Sequence, residues 1–205
     1  PPRSTLFPYT TLFRSTNLFF DLEAVKSIGE DPRHIEISAD WYASPWNCGA
    51  AVNALDVVIL GATELDVDFN VNVNTEADGA LLHGIGGHQD TAAGAKLTII
   101  AQPLLRGRIP CVVDRVHSIT TPGEVVDALV TEFGVTINPR RQDLIDACKE
   151  AKGEHTVPLI PIDELAARAH QMSGPMEPVA QGDRIIGVIE WRDGTVIDVV
   201  RELAK

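Results

Sequence analysis

The chain has 205 residues, of which 44% are hydrophobic and 22% are charged, and its formal net charge at pH 7 is −12. This length and composition argue against a disordered chain and predict one globular domain with a sizeable core. Acidic residues interrupt the most apolar stretch, so no segment reaches the ~18 to 20 apolar residues that a membrane helix needs. The acidic balance also disfavours a phosphate-backbone grip on nucleic acid.

The cysteines and the first residues indicate the compartment and the limits of the domain. Cys48, Cys111 and Cys148 are far apart and lack metal-ligand spacing, so we expect reduced, buried thiols in a cytoplasmic protein. Residues 1–15 show neither a signal-peptide pattern nor a helix or strand pattern. We expect a non-native leader there and a folded domain over residues 16–205.

The elements predicted next alternate between helix and strand. Residues 17–28 carry apolar residues at spacings of four and three, which predicts a short helix, and residues 34–38 predict a strand. A turn is expected at residues 44–49. Four apolar, β-branched runs follow, at residues 55–62, 97–103, 110–114 and 127–138. Runs without alternation are typical of strands covered on both faces in a parallel or mixed sheet.

A helix is predicted after the last of these strands. Asn138 is expected to cap it, with Pro139 as its first residue. Leu144, Ile145 and Cys148 then form its apolar face.

The end of the chain predicts one more helix and a hairpin. Asp163 is expected to cap the helix, with Leu165, Ala169 and Met172 facing inward. Residues 184–200 predict two strands around an Asp-Gly turn. The fold class is therefore α/β, an open, mostly parallel or mixed sheet flanked by helices, with a C-terminal β-hairpin.

The densest candidate site is the segment HGIGGHQDTAAGAKL, residues 83–97. Gly84, Gly86 and Gly87 leave backbone amides bare, and such a loop can wrap an anion or a developing oxyanion. The spacing matches neither the dinucleotide fingerprint nor a nucleotide triphosphate loop. A tight structural turn is the alternative interpretation.

Histidine and carboxylate side chains in this segment raise the question of a metal. His83, His88 and Asp90 are of metal-ligand type, but their spacing fits no helix face and no glutamate lies between the histidines. We therefore predict no metal site. His88 is expected either to donate a hydrogen bond to substrate or to brace the loop.

Two other features are candidates for chemistry. Asn70, Asn72 and Asn74 alternate with valines, so a strand would place them on one face, either lining a carboxylate-rich or amide-bearing substrate or facing solvent at an edge. Glu132 follows an apolar run, at the kind of strand end where open α/β sheets place ligands. It is interpreted either as a nucleophilic or acid–base carboxylate or as a structural acid.

Four blocks carry a close resemblance to the citrate lyase alpha chain family, at residues 55–73, 84–110, 120–135 and 138–147. The likeness runs from about residue 16 to the hairpin, and GGHQDTAAGAKL is its most specific part. It implies a CoA-transferase-like domain, the second of two in a complete alpha chain. The implied enzyme exchanges acetyl for citryl on a thioester, through a mixed anhydride and without a covalent enzyme ester.

The resemblance also implies co-substrates, partners and site residues. The thioester belongs to an acyl carrier protein with a CoA-derived prosthetic group, or to acetyl-CoA, and the partners are the beta subunit and the acyl carrier (gamma) subunit of citrate lyase. Gly84, Gly86 and Gly87 are implied to hold the thioester region, with Asn72 beside them. Where the family has Gly-Ser-Gly-Gly this chain has Ile85, so that side chain cannot donate a hydrogen bond.

Substrate contacts are expected around this loop. Citrate brings three carboxylates into an acidic protein, so an arginine near the cleft is expected on charge grounds. The expected substrate-binding residues are His88, Asp90, Asn70, Arg106, Arg108 and Glu132. The alternatives are an acetate-type CoA-transferase or acyl-CoA hydrolase of the same fold, or a non-catalytic fragment.

Overall fold

The computed structural model describes residues 22–32, 37–151, 158–174 and 179–204. The helices are α1 (Leu22–Glu30), α2 (Ala39–Ala43), α3 (His88–Gly94), α4 (Gln142–Glu150) and α5 (Ile162–Ser173). The first strands are β1 (Val57–Leu60), β2 (Glu64–Asp66), β3 (Val71–Asn72), β4 (Leu97–Ala101), β5 (Leu105–Arg106) and β6 (Ile109–Pro110). The others are β7 (Val112–Val113), β8 (Ala128–Thr131), β9 (Gly134–Ile137), β10 (Gln181–Glu190) and β11 (Val196–Leu203).

The main sheet has the strand order β1-β4-β8-β9. β1, β4 and β8 run parallel, and β9 is antiparallel to β8. The predicted α/β class with an open, mixed sheet is therefore confirmed. A second sheet has the order β3-β2-β7, and β5 and β6 form a small hairpin.

Two helices pack against the same face of the main sheet. α3 is attached by the hydroxyl of Thr98, which donates to the carbonyl oxygen of Ala92 at 2.9 Å. α5 contributes Leu165 to the same buried cluster as Ile100 and Leu129 of the sheet. We call this helix-covered side the inner face.

The expectation that every apolar run is covered on both faces is wrong. In β1, Val58 is buried, whereas 44% of Val57 and 59% of Ile59 are exposed. The alternation arises because the described helices cover only the inner face. The run at 127–138 is also two antiparallel strands rather than one, since the chain reverses at Glu132 and Phe133.

The predictions before β1 have mixed outcomes. The helix predicted at 17–28 is confirmed in its described part as α1, while residues 17–21 lie outside the described residues. The strand predicted at 34–38 falls mostly on 33–36, which also lie outside them, and its last two residues are not in a strand. The turn at 44–49 is confirmed, with Asn47 N–H donating to the carbonyl oxygen of Ser44 at 3.2 Å.

Asn138 does not cap a helix as predicted. α4 begins at Gln142, after a turn. The side-chain amide of Asn138 is buried and donates to the carbonyl oxygens of Gly123 at 2.9 Å and Val126 at 2.8 Å. Asn138 thus joins the end of β9 to the segment before β8, and its side-chain oxygen accepts from Arg140 N–H at 3.1 Å in the turn that precedes α4.

The apolar face predicted for α4 is only partly realised. Leu144 and Ile145 are half-buried and Cys148 is exposed, so α4 has no buried residue. Cys48 is exposed as well, and only Cys111 is buried as expected. All three cysteines are free thiols.

α5 departs from its predicted start and from part of its predicted face. Asp163 is already inside the helix, and a proline occupies the cap position, so the predicted cap is wrong. Leu165 and Ala169 are buried as predicted, whereas 53% of Met172 is exposed. The helix ends at Gly174, whose φ of +80° favours glycine.

The C-terminal hairpin is confirmed. β10 and β11 pair antiparallel around a turn in which Trp191 N–H donates to the carbonyl oxygen of Thr195 at 2.7 Å. The hairpin is held to the domain by Ile189, which is buried, and by Asp198, whose carboxylate accepts from Ile119 N–H at 2.7 Å. Among the described residues, no helix is long and apolar enough to cross a membrane.

Gly123 provides a test of this packing. A Cβ atom added there would lie 2.0 Å from the backbone oxygen of Asp68, which cannot move aside as a side chain would. We expect Gly123→Ala to lower the free energy of unfolding by about 3 kcal/mol or more, measured by urea denaturation. Gly61→Ala is the control, because its Cβ would meet nothing within 4 Å. Equal losses in both variants would contradict the assigned packing.

Candidate functional site

The glycine loop presents free backbone donors. Gly84 and Gly86 are exposed and Gly87 is half-buried. No acceptor in the described part of the chain bonds the main-chain N–H of any of the three. Gly86 has a φ of +62°, which a side chain would strain. The loop therefore offers unpaired N–H groups, as an anion- or oxyanion-binding loop requires.

His88 fixes the end of this loop to two other parts of the chain. Its Nε2 lies 3.0 Å from the carbonyl oxygen of Gly61, and its Nδ1 lies 2.7 Å from the hydroxyl of Thr121. Because a carbonyl can only accept, Nε2 carries the proton and the hydroxyl of Thr121 donates to Nδ1. Both ring nitrogens are thus used inside the protein, which is the loop-bracing alternative.

Arg106 lies at the same end of β1. Its guanidinium donates to the carbonyl oxygen of Ala62, the residue after the one that His88 binds. The structure therefore brings the glycine loop and Arg106 together at the carboxyl end of β1, the kind of edge where open α/β sheets place ligands. One bond to Ala62 leaves Arg106 further N–H donors. Arg108, in the turn of the β5–β6 hairpin, is exposed and has no polar partner among the described side chains.

Glu132 occupies the turn between β8 and β9. Its carboxylate accepts from Leu104 N–H at 2.9 Å. This contact joins the turn to the segment after β4, which is the structural interpretation of Glu132.

Asn72 lies behind the site rather than on its surface. It is fully buried, and its amide nitrogen donates to Glu64 at 2.9 Å and to the hydroxyl of Thr75 at 2.8 Å. Its side-chain oxygen accepts from Asn74 N–H at 3.1 Å and from Ser118 at 3.3 Å. With these partners Asn72 cannot touch a substrate, so neither sequence interpretation, substrate lining or solvent-facing edge, describes it.

The other two asparagines are also bonded within the protein. The amide of Asn70 donates to Asp66 at 3.3 Å and accepts from Gly123 N–H at 3.0 Å. Asn74 is buried, and its side-chain oxygen accepts from the hydroxyl of Ser118 at 2.7 Å. The asparagines therefore organise the polar interior beneath the loops.

Asp90 is paired with the C-terminal hairpin. Its carboxylate lies 3.1 Å from Nε of Arg192, and both side chains are largely buried. The side-chain amide of Gln89 donates to the backbone oxygen of Glu190 at 2.9 Å. These partners could not be predicted from the sequence, because the residues are about 100 positions apart and no local pattern connects them.

Burial shifts the pKa values of two further groups near the site. It raises the pKa of Asp66, against hydrogen bonds that act in the opposite direction, the first from Val116 N–H. It also raises the pKa of the buried Cys111 thiol. Neither group is exposed, and Cys111 is thus a packing residue at neutral pH.

Two further observations concern metals and cavities. The described residues contain no group of three or more His, Cys, Asp or Glu placed to hold a metal ion. A cavity of about 470 Å³ lies away from the glycine loop, lined by residues that include Ala77, Ile109 and Leu203.

Comparison with known proteins places this chain in a family. The family model "Citrate lyase, alpha subunit (CitF)" matches residues 16–203. The chain belongs to the citrate lyase alpha subunit family. The citrate lyase alpha chain of Klebsiella pneumoniae is 50% identical over 184 residues, and that of Escherichia coli (strain K12) is 46% identical over 186 residues. These matches cover 90% and 91% of this chain.

This chain of the citrate lyase alpha family spans about a third of the length of the relatives it matches, 35% of the Klebsiella pneumoniae chain and 36% of the Escherichia coli chain. It also superposes on a Streptococcus mutans protein assigned as the alpha subunit of citrate lyase and solved in complex with citrate. That similarity has a TM-score of 0.82 and 46% identity, over 89% of this chain and 35% of the other.

The role of His88 as a brace predicts a pH dependence. Burial lowers the pKa of His88 to about 4, against about 6.5 in an unfolded chain. The unfolded chain therefore binds more protons between these values. This contribution to stability is complete above pH 6.5 and is lost as the pH falls toward 4. It amounts to at most about 3 kcal/mol, less where water reaches the ring.

Urea unfolding at pH 7 and pH 4.5 would measure this effect. We expect His88→Gln to be less stable than wild type at pH 7 and to lose less of its stability on acidification. His83→Gln is the control, because His83 is exposed and bonds only the neighbouring Gly84 carbonyl. If His88→Gln kept the wild-type pH dependence, the brace would not be the titrating group.

Proposed function

We propose that this chain is the thioester-handling part of an alpha subunit that exchanges acetyl for citryl on an acyl-carrier or CoA thioester. The observation that supports this most is the set of unpaired N–H groups at residues 84–87, held at the carboxyl end of β1 beside Arg106. Family membership supplies the substrate class, and the citrate bound to the Streptococcus mutans protein supports citrate as the acceptor.

The proposed reaction needs no nucleophile from the enzyme. A carboxylate oxygen of citrate attacks the acetyl carbonyl carbon of the thioester, and the carbonyl oxygen becomes an oxyanion. When the carbon–sulfur bond breaks, a mixed anhydride and a thiolate result. The thiolate then attacks the citryl carbonyl of the anhydride, and acetate leaves with the bridging oxygen. Every bond broken is replaced, and no oxidant or metal is required.

The glycine loop has the donors that this sequence of steps uses. Unpaired N–H groups of Gly84, Gly86 and Gly87 would stabilise the oxyanion, and each well-placed donor contributes about 3 to 4 kcal/mol. His88 holds the loop through Gly61 and Thr121, so the donors need little reorganisation during the reaction. In this proposal His88 positions the loop rather than binding citrate.

The remaining predicted residues are proposed either to bind citrate or to position the site. Arg108 and the free donors of Arg106 are proposed to bind citrate carboxylates, because this acidic chain needs local positive charge for a trianion. Asn72 is proposed to position the site from beneath, through Glu64 and Ser118. Asp90 is proposed to keep the start of α3 in place through its ion pair with Arg192.

The proposed assembly is the one that the family resemblance implies. The acyl group would arrive on a carrier subunit with a CoA-derived prosthetic group, and a beta subunit would split the citryl thioester. A cytoplasmic location stays a prediction from the sequence. The alternatives are an acyl-CoA hydrolase, with water as acceptor, and an acetate-type CoA-transferase, with acetate as acceptor. No contact described above specifically supports either of them.

A completed subunit tests the reaction. We define it as the Klebsiella pneumoniae chain in which residues 16–203 of this chain replace the matching third. With acetyl-CoA and citrate it should release acetate and form citryl-CoA, followed by mass spectrometry. The parent chain is the positive control, and acetate or water alone as acceptor gives the comparison. A folded completed subunit that hydrolyses acetyl-CoA without making citryl-CoA would exclude the proposal.

Gly86 tests the role of the loop. Gly86→Ala in the completed subunit should lower kcat by roughly tenfold to a hundredfold, because the strained backbone would displace the N–H donors. The loss of folding stability should be only about 1 kcal/mol. Gly194→Ala in the hairpin turn is the matched control, since its φ is +87° and its Cβ would also meet nothing within 4 Å. Equal kcat values for the two variants would remove the loop from the reaction.

A further inference from the structure

The main sheet has a second face, opposite α3 and α5, which we call the outer face. The side chains of β1 alternate, so Val57 and Ile59 point away from the buried Val58. Strand register extends this face, since Ile59 pairs with Ile99, and Ala101 pairs with Val130 on the next strand. Val130 pairs in turn with Val135 of β9. All four strands thus contribute apolar side chains to one surface.

The exposure of these residues shows that the outer face is not part of the core. Exposed fractions are 59% for Ile59, 44% for Val57 and 37% for Val130, and Ile99 and Val135 are half-exposed. None of these five belongs to either buried hydrophobic cluster or to the residues packed against one. The face is apolar across four strands and carries no charged side chain.

Such a face is unusual for a sheet in which three of the four strands are parallel. Sheets of parallel strands occur almost only with both faces covered by helices, because the connections between parallel strands bring helices onto the faces. Here the connection from β1 to β4 carries α3, which packs on the inner face. A contiguous exposed apolar surface of this kind marks an interaction site.

We propose that the outer face is the docking surface for an apolar helical layer from the part of the longer alpha subunit that lies outside this chain. The length of the relatives supports this occupant, because about two thirds of each lies beyond the match. The absence of charge on the face fits a permanent contact within one polypeptide rather than a transient partner. A second copy of this chain would instead stack two sheets face to face. This inference concerns assembly and is independent of the proposed activity.

Hydroxyl-radical footprinting of this chain alone and of the completed subunit tests the inference. In the chain alone, Val57 and Ile59 should be oxidised at the rate of exposed aliphatic side chains. In the completed subunit their oxidation should slow by about fivefold or more, since burial would reduce a 59% exposed side chain to below a tenth. Met172, 53% exposed on α5, is the control and should not change. Unchanged oxidation of Ile59 in the completed subunit would overturn the proposal.

Variants at Ile59, with Met172→Lys as the control, separate the possible occupants. Ile59→Lys should lower the Tm of the completed subunit by several degrees and leave the Tm of the chain alone within a degree or two, whereas Met172→Lys should change neither. Ile59→Thr keeps a β-branched side chain and should give a smaller loss in the same direction. Protection of Ile59 in a dimer of the chain alone, together with loss of that dimer in Ile59→Lys, would identify a second copy and refute the proposal. Protection of Ile59 in the monomeric chain would show that the chain's own residues cover the face, and it would also refute the proposal.

Discussion

The hydrogen bonds of one imidazole hold the candidate site together. His88 links the first residue of α3 to the end of β1 and to the segment that precedes β8. The residue is half-buried, and the pKa of about 4 that burial gives the ring keeps it neutral at physiological pH. A neutral ring can donate from one nitrogen and accept at the other, whereas both nitrogens of a charged ring donate, so the hydroxyl of Thr121 would have to become the acceptor. The glycine loop is therefore held by a residue that need not touch substrate.

Beside the apolar core, buried amides and hydroxyls form a polar network next to this brace. Asn72, Asn74 and Ser118 bond to one another, and Thr121 extends the polar layer to His88. Buried polar groups destabilise a fold unless each finds a partner, and a satisfied network is rigid for the same reason. The loop donors consequently lie above a stiff base, which is what preorganised oxyanion stabilisation requires. Replacing one member with an apolar side chain would leave its neighbours unsatisfied.

The sequence predicted best what depends on neighbouring residues. The Asp-Gly hairpin, the turn at 44–49 and the strands around Val58 and Ile100 follow from local pattern, and the glycine loop followed from composition and family likeness. The bare outer face could not be read in the same way, because an apolar run looks alike whether its second face is covered within the chain or by something else. For β1, the prediction of a strand was therefore correct, and the prediction that both of its faces are covered was wrong.

Predictions about individual site residues failed where contacts with distant segments of the chain decide the outcome. Asn138 has a capping side chain by pattern, but its oxygen accepts from Arg140 N–H within a turn, and α4 begins only at Gln142. His88 had two open interpretations until Gly61 and Thr121 occupied both ring nitrogens. Long-range hydrogen bonds of this type have no sequence periodicity, so residue type gives the candidates and only the fold assigns their partners.

The contact between the C-terminal hairpin and α3 has a kinetic consequence. The bonds from Gln89 to Glu190 and from Arg192 to Asp90 close segments of about 100 residues. Closing so large a loop costs entropy that local elements do not incur, and long-range contacts form late when chains fold. The start of α3 thus gains this last anchor only when the hairpin docks, in addition to the bonds that His88 makes. Completion of the site would therefore follow formation of the sheet.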